Sequence, residues 1–105
     1  MSREEGAATG ELLVQAIQER RLVSFVYGGH RRVVEPHLLG LHAAGEAVLS
    51  AYQTQGGSET GDLPGWRTFV LAEVGQVDLL ERRFGEARPG YDRDGPGMVE
   101  VFARL

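Results

Sequence analysis

Between Leu22 and Leu41 the chain carries two β-rich runs separated by Gly28-Gly29, and this arrangement constrains the fold more than any other stretch. Leu22 to Tyr27 alternates, with Val23, Phe25 and Tyr27 on one face and Leu22, Ser24 and Val26 on the other, the period of a strand. The two glycines permit the backbone angles of a tight hairpin turn. The second run, Arg32 to Leu41, contains Pro36, which cannot donate to a ladder and so belongs at an edge or a bend. A strand, a turn and a bent strand are expected.

The same reasoning extends in both directions. Gly45 marks a turn before a third strand over Ala47 to Tyr52. Gln53 to Gly65 is a long Gly-rich loop, with Gly56, Gly57, Gly61, Pro64 and Gly65, of the kind that is functional or mobile. Trp66 to Leu71 predicts a fourth strand, and Val74 with Val77 to Leu80 a fifth, ending near Phe84. Five short strands predict a small barrel. Upstream, residues 1–10 read as a flexible leader, with Thr9 placed to cap a helix carrying Leu12, Leu13, Ala16 and Ile17 at helical spacing and ending near Arg20 or Arg21. Residues 11–84 form the expected barrel domain. Residues 85–105 form a Gly/Pro-rich segment in which Met98, Val101, Phe102 and Leu105 fall at i, i+3, i+4 and i+7, predicting a short C-terminal helix. A strand with Val99, Val101 and Ala103 in phase is the open alternative. The expected class is therefore mostly β, a small five-stranded barrel with a helix at each end, and no internal repeat is visible.

With 105 residues there is room for one hydrophobic core. The sequence has no cysteine, so no disulfide, thiolate zinc site or cysteine nucleophile is expected, in keeping with a reducing compartment. No run approaches the roughly 20 apolar residues of a membrane span, and the acidic start Ser2-Arg3-Glu4-Glu5 leads into no apolar signal segment, so a cytoplasmic location and no membrane contact are expected. All eleven basic residues are arginine. Codon bias is the simple explanation, yet every cation here can fork onto phosphate or carboxylate. The net charge of −4 argues against a general duplex-DNA binder. Its distribution is uneven: residues 20–43 hold four Arg against Glu35, a local +3 that suits a small anion or a short strand.

Four stretches together resemble a WYL domain, a small sensor module of bacterial transcriptional regulators: Ala16-Ile17-Gln18-Glu19-Arg20-Arg21, Ser24-Phe25-Val26-Tyr27-Gly28-Gly29, Arg32-Val33-Val34-Glu35-Pro36-His37-Leu38-Leu39-Gly40 and Trp66-Arg67-Thr68-Phe69-Val70-Leu71. The resemblance runs from about residue 11 to residue 84. It implies an SH3-like or Sm-like five-stranded barrel that binds nucleic acid or a nucleotide-type ligand without catalysis. Where the family has its Trp-Tyr-Leu run this chain has Ala47, Val48 and Leu49, so only the Leu is kept. The length leaves no room for the helix-turn-helix that usually precedes such a module, so any role in transcription is expected to run through a DNA-binding partner protein.

Arg67 is the first candidate site residue. It shares a strand face with Phe69 and Leu71, where an unpaired charge is costly, so it is expected either to pair internally with Glu35, to stack on a ring, or to hold an anion at a pocket mouth. The resemblance favours the last. Arg32 matches a basic position of the family ahead of Glu35-Pro36 and could grip phosphate through two hydrogen bonds; Arg31 reads as a solvated charge. Tyr27 and Tyr52 could stack on a base or simply pack. His37, in phase with Leu39 and Leu41, and Ser24, in phase with Leu22 and Val26, are site candidates or satisfied core residues. Trp66 reads as a core anchor, and Asp92-Arg93-Asp94-Gly95 as a turn leading into a helix rather than a calcium loop. His30, His37 and His42 lack a metal spacing, and no phosphate-loop or nucleophile-elbow motif is present, so neither metal, cofactor nor catalysis is expected. The expected function is a non-catalytic module that binds an anionic small ligand or short single-stranded nucleic acid. The alternative is a protein-interaction or homo-oligomeric module acting through a partner regulator.

Overall fold

The computed structural model describes residues 3–57, 64–95 and 97–105. The chain runs through a helix α1 (Arg3–Glu19), strands β1 (Arg21–Tyr27), β2 (His30–His42), β3 (Ala47–Gly56) and β4 (Gly65–Val70), a 3-10 turn (Leu71–Glu73), and strands β5 (Gly75–Arg83) and β6 (Met98–Arg104). All pairings are antiparallel, in one six-stranded sheet of order β4-β3-β2-β1-β5 with β6 added to β2. No helix among the described residues is long and apolar enough to cross a membrane.

The Gly28-Gly29 hairpin forms as its sequence predicts: both glycines take positive φ, at 59° and 77°, and Tyr27 faces His30 across the turn. β2 is the spine of the sheet. One edge of it pairs with β3 along most of its length, while the other pairs with β1 as far as Val34 and with β6 from Leu38 onward. Pro36 falls in the gap between these two partners and beside a bulge, a place where a residue without an N–H is tolerated. The β2–β3 register shifts between Pro36 and Leu38, so His37 is the extra residue of a bulge, and the spine bends there.

Three expectations are corrected. The sheet is open rather than a closed barrel, because β4 and β5 end the strand order unpaired with one another. The C-terminal helix is absent; Met98–Arg104 is a strand. Its ladder with β2 skips Val99 and Phe102, and these two residues are the exposed large hydrophobics among the described residues, at 65% and 46%. Two bulges three residues apart impose a local spacing of three on a strand, which mimics a helical period. Lastly, α1 begins at Arg3, so Thr9 is a buried residue inside the helix rather than its cap, and residues 3–10 are helical rather than a leader. The helix ends at Glu19 because Arg20 turns left-handed at φ 54°, a conformation costly for a side-chain-bearing residue. Tertiary contacts offset that cost: the Arg20 guanidinium donates to the Gly85 carbonyl, and Arg20 O accepts from Phe84 N at 2.9 Å.

α1 covers one face of the sheet. Leu13, Ala16 and Ile17 pack there on Val23, Phe25, Val34, Leu39, Leu49, Ala51, Phe69 and Val74 in a continuous apolar core. Phe25 and Phe69 meet edge to face, with centroids 4.9 Å apart. The connection between β5 and β6 is a strap, and its described residues 84–95 cross the opposite face. Of the Gly-rich loop Gln53–Gly65, residues through Gly56 extend β3 and Gly65 opens β4, while 58–63 lie outside the described residues.

Candidate functional site

Alternation along the strands assigns the six candidate residues to both faces of the sheet, so they do not form one site. Arg32 lies opposite Phe25 in the β1–β2 ladder, at the end of the helix-covered face. It is 6% exposed and fully engaged. Its Nε and Nη2 donate to the Tyr27 carbonyl at 3.3 and 3.0 Å, and Nη1 donates to the buried Gln53 Oε1 at 3.4 Å. Its guanidinium carbon stands 5.4 Å from the Tyr27 ring centroid and 5.6 Å from that of Phe69. The Tyr27 hydroxyl accepts from Val70 N at 3.1 Å and donates to Glu73 Oε2 at 3.2 Å. This end of the core is therefore closed by polar groups that satisfy one another, and Arg32 and Tyr27 hold the hairpin to β4 and the 3-10 turn.

Ser24 faces the other way. Its Oγ accepts from Arg31 Nη1 at 2.8 Å, and the same guanidinium reaches Gln76 Oε1 at 3.1 Å and Asp78 at 3.7 Å.

His37 and Tyr52 lie on the strap-covered face with Trp66, where buried polar and aromatic groups converge. The bulge turns His37 inward to 0% exposure. Its Nδ1 lies 2.7 Å from the Glu35 carbonyl, which fixes Nδ1 as the protonated nitrogen, and Nε2 accepts from Arg88 N at 3.1 Å. Burial pushes its pKa down from the ordinary 6.5 and favours the neutral ring these bonds require. Phe84 stacks on His37 at 5.4 Å, and Trp66 and Tyr91 meet it edge-on at 4.7 and 5.1 Å. Glu35, 5% exposed, is paired with Arg88 rather than Arg67: Nε and Nη2 donate to its two oxygens at 2.7 and 2.8 Å. That bonding raises the Arg88 pKa further. The Arg88 guanidinium also lies 4.6 Å over the Tyr52 ring, which Glu35 faces across the β2–β3 ladder.

Residues 88–91 form a reverse turn, with Tyr91 N bonded to Arg88 O at 3.2 Å, Pro89 preset for its second position and Gly90 at φ 89° for its third. Trp66 Nε1 donates to Pro89 O at 2.8 Å, and a Cβ on Gly90 would stand 3.1 Å from that nitrogen. Trp66 thus anchors the strap and lies outside the helix-side core. The Asp92–Gly95 run is a turn, with Asp94 N bonded to Asp92 Oδ1 at 3.0 Å, but it leads into β6 and not a helix.

Between β3, β4 and the strap is a cavity of about 400 Å³, in the size range of small-molecule sites. Trp66, Arg67, Ser50, Thr68, His42 and Asp92 supply its polar and aromatic lining, with Val48, Met98 and two glycines completing it. Arg67 sits on the edge strand β4 opposite Ala51, and its Nη1 donates to Trp66 O at 2.9 Å. Arg67 is the one candidate of the six that lines this cavity. No sequence pattern marks Arg88, Phe84, Tyr91 or His42 as a site residue. The Pro89-Gly90 pair, a turn signal flanked by Arg88 and Tyr91, was the available clue.

No family model matches the chain, and neither a curated protein nor a solved structure is found similar to it.

Proposed function

We propose that this chain is a non-catalytic binding module of the WYL-like kind that takes a nucleotide-type anion, free or at the end of a short single strand, in the cavity beside β4. The observation that carries this reading is the convergence of the Trp66 ring with Arg67, His42, Ser50 and Thr68 on one space of about 400 Å³. An indole offers a stacking surface to a base, and guanidinium and hydroxyl donors suit a phosphate. Trp66 already stacks on Tyr91 with rings 6.1 Å apart and 14° from parallel, so a base would extend an existing stack.

The test is a titration of mononucleotides and labelled short DNA and RNA strands at two salt concentrations, followed by anisotropy and by the fluorescence of Trp66, the single tryptophan. Saturable binding that weakens with salt and falls about tenfold in Arg67→Ala is expected. Silence of both signals at low salt would remove the proposal.

A second reading, a module that docks on a partner protein or a second copy, is favoured by the exposed Val99 and Phe102 on β6. Light scattering across a concentration series tests it, and a strict monomer that co-purifies with nothing would count against it.

A further inference from the structure

The helix-side face of the sheet is not covered to its end. α1 packs on the core through Leu13, Ala16 and Ile17, but toward β6 a hollow of about 390 Å³ remains, reaching down to the spine residue Leu39. That volume is in the range of small-molecule sites. Val14 of the helix, Leu71 of the 3-10 turn and Phe102 of β6 give it apolar walls. Among the described residues, none of those lining it belongs to the strap or to the cavity beside β4.

Two features of the sequence keep this hollow open. A bulge in β6 takes Phe102 out of the ladder with β2, and the ring is left 46% exposed at the wall. Gly10 lies inside α1, where glycine is the costliest residue after proline. Packing does not demand it: a Cβ there would have no contact nearer than Leu71 Cδ2 at 3.9 Å, an ordinary separation. A side chain at that position would instead enter the hollow, since Gly10 is part of its lining.

The charge around the hollow selects among occupants. Among the described lining residues Glu11 is the one that ionises, and Gln15 and Gln18 supply the other polar side chains. Beyond the rim, Glu73 stands two residues on from Leu71, and Glu100 two residues before Phe102. The arginine at a comparable distance along the chain, Arg104, turns to the strap, where its Nη1 donates to Arg93 O at 3.1 Å. A carboxylate meets repulsion here. A cation on an apolar body meets a carboxylate and an exposed aromatic ring, the pairing by which proteins hold ammonium groups.

We propose that the hollow between α1 and β6 is a second binding site that takes a small lipophilic cation, an ammonium group on an aromatic or short aliphatic body. The body lies between Val14, Leu71 and Phe102, and the charge lies beside Glu11. The proposal does not rest on the nucleotide reading, because the two sites share no residue and lie on opposite faces of the sheet.

The experiment uses three probes that share one body and differ in the head group: phenylbutylammonium, phenylbutanol and phenylbutanoate. Each is titrated into the full chain and followed by the methyl NMR signals of Val14 and Leu71, with Trp66 fluorescence as the control for the other face. The expected result is saturable methyl shifts with phenylbutylammonium, binding weaker by about threefold or more for the alcohol and by about tenfold or more for the carboxylate, and an unmoved Trp66 signal. Glu11→Gln should bring the cation down to the affinity of the alcohol. Gly10→Leu should bind phenylbutylammonium about tenfold or more weakly while its unfolding midpoint holds, because leucine is the better helix former and fills the hollow. Equal affinity for the three heads overturns the proposal, as does the absence of methyl shifts or a folded Gly10→Leu that binds like wild type. Methyl signals that move with protein concentration alone also overturn it, because a second copy would then cover the hollow. If Gly10→Leu fails to fold, Glu11→Gln decides: a preference for the cation that survives it rejects the site.

Discussion

The two faces of this sheet are closed in opposite ways. The helix-covered face is joined by area: Leu13, Ala16 and Ile17 meet Phe25, Leu49 and Phe69 with no polar partner required. The strap-covered face also buries Leu22 and Leu38, but adds named bonds, among them the Glu35–Arg88 fork, the Trp66–Pro89 bond and the His37 ring between two backbone groups, with a cavity at either side. The first kind of closure is non-directional and holds the fold. The second is directional and depends on a few groups. Truncation, charge removal and acid should therefore act unequally on the two.

The largest effect is expected from Phe69→Ala. It removes a ring 1% exposed that meets both Phe25 and Tyr27, and should cost about 3–5 kcal/mol of unfolding free energy, measured by denaturant titration. Glu35→Gln should cost less, about 1–2 kcal/mol, because the Arg88 side chain it abandons is 42% exposed and regains water. Its signature should be local: Trp66 emission shifts while the far-ultraviolet dichroism stays unchanged. A loss from Glu35→Gln that equals that of Phe69→Ala would end the distinction between the faces.

Acid should give the smallest effect, through His37. Burial lowers its folded pKa below the unfolded 6.5, so the unfolded chain binds more protons in the window between those values. The stability that the neutral ring contributes is fully present above 6.5 and is lost as pH falls below it toward the folded pKa. Protonation puts a hydrogen on Nε2, where Arg88 N now donates, so the strap should loosen first. The check is the denaturant midpoint of wild type and His37→Gln at about pH 7 and about pH 5; a midpoint in wild type that does not fall would refute the assignment.

Most strands were legible in the sequence because alternation is local: Leu22–Tyr27, the Gly28-Gly29 turn and the Pro36 bend all depend on neighbours along the chain. The end of the chain was not, because the bulges at Val99 and Phe102 are set by β2, a distant partner that spacing alone cannot reveal. The same limit governs the site. Arg67 was placed on a strand with buried neighbours and does line a cavity, but its expected internal partner, Glu35, is taken by Arg88, 53 residues further on. Arg32 stands out in the sequence by its charge, but its role is set by Gln53 and the Tyr27 carbonyl, which a hairpin and a third strand bring to it. Ser24 and His37 proved satisfied where they lie, the first by Arg31 and the second by Glu35 and Arg88.

The divided spine β2 also has a consequence for biosynthesis. A chain made from its N-terminus delivers the hairpin partner β1 before β2 and β3 soon after, but the edge of Leu38–His42 waits for β6 until long after the rest of the sheet has been made. During that interval a run of apolar residues offers unpaired backbone groups, the arrangement that invites pairing between neighbouring nascent chains. Crowded polysomes are thus the setting in which this fold is most exposed to misassembly, and slow translation through residues 84–97 would prolong that exposure.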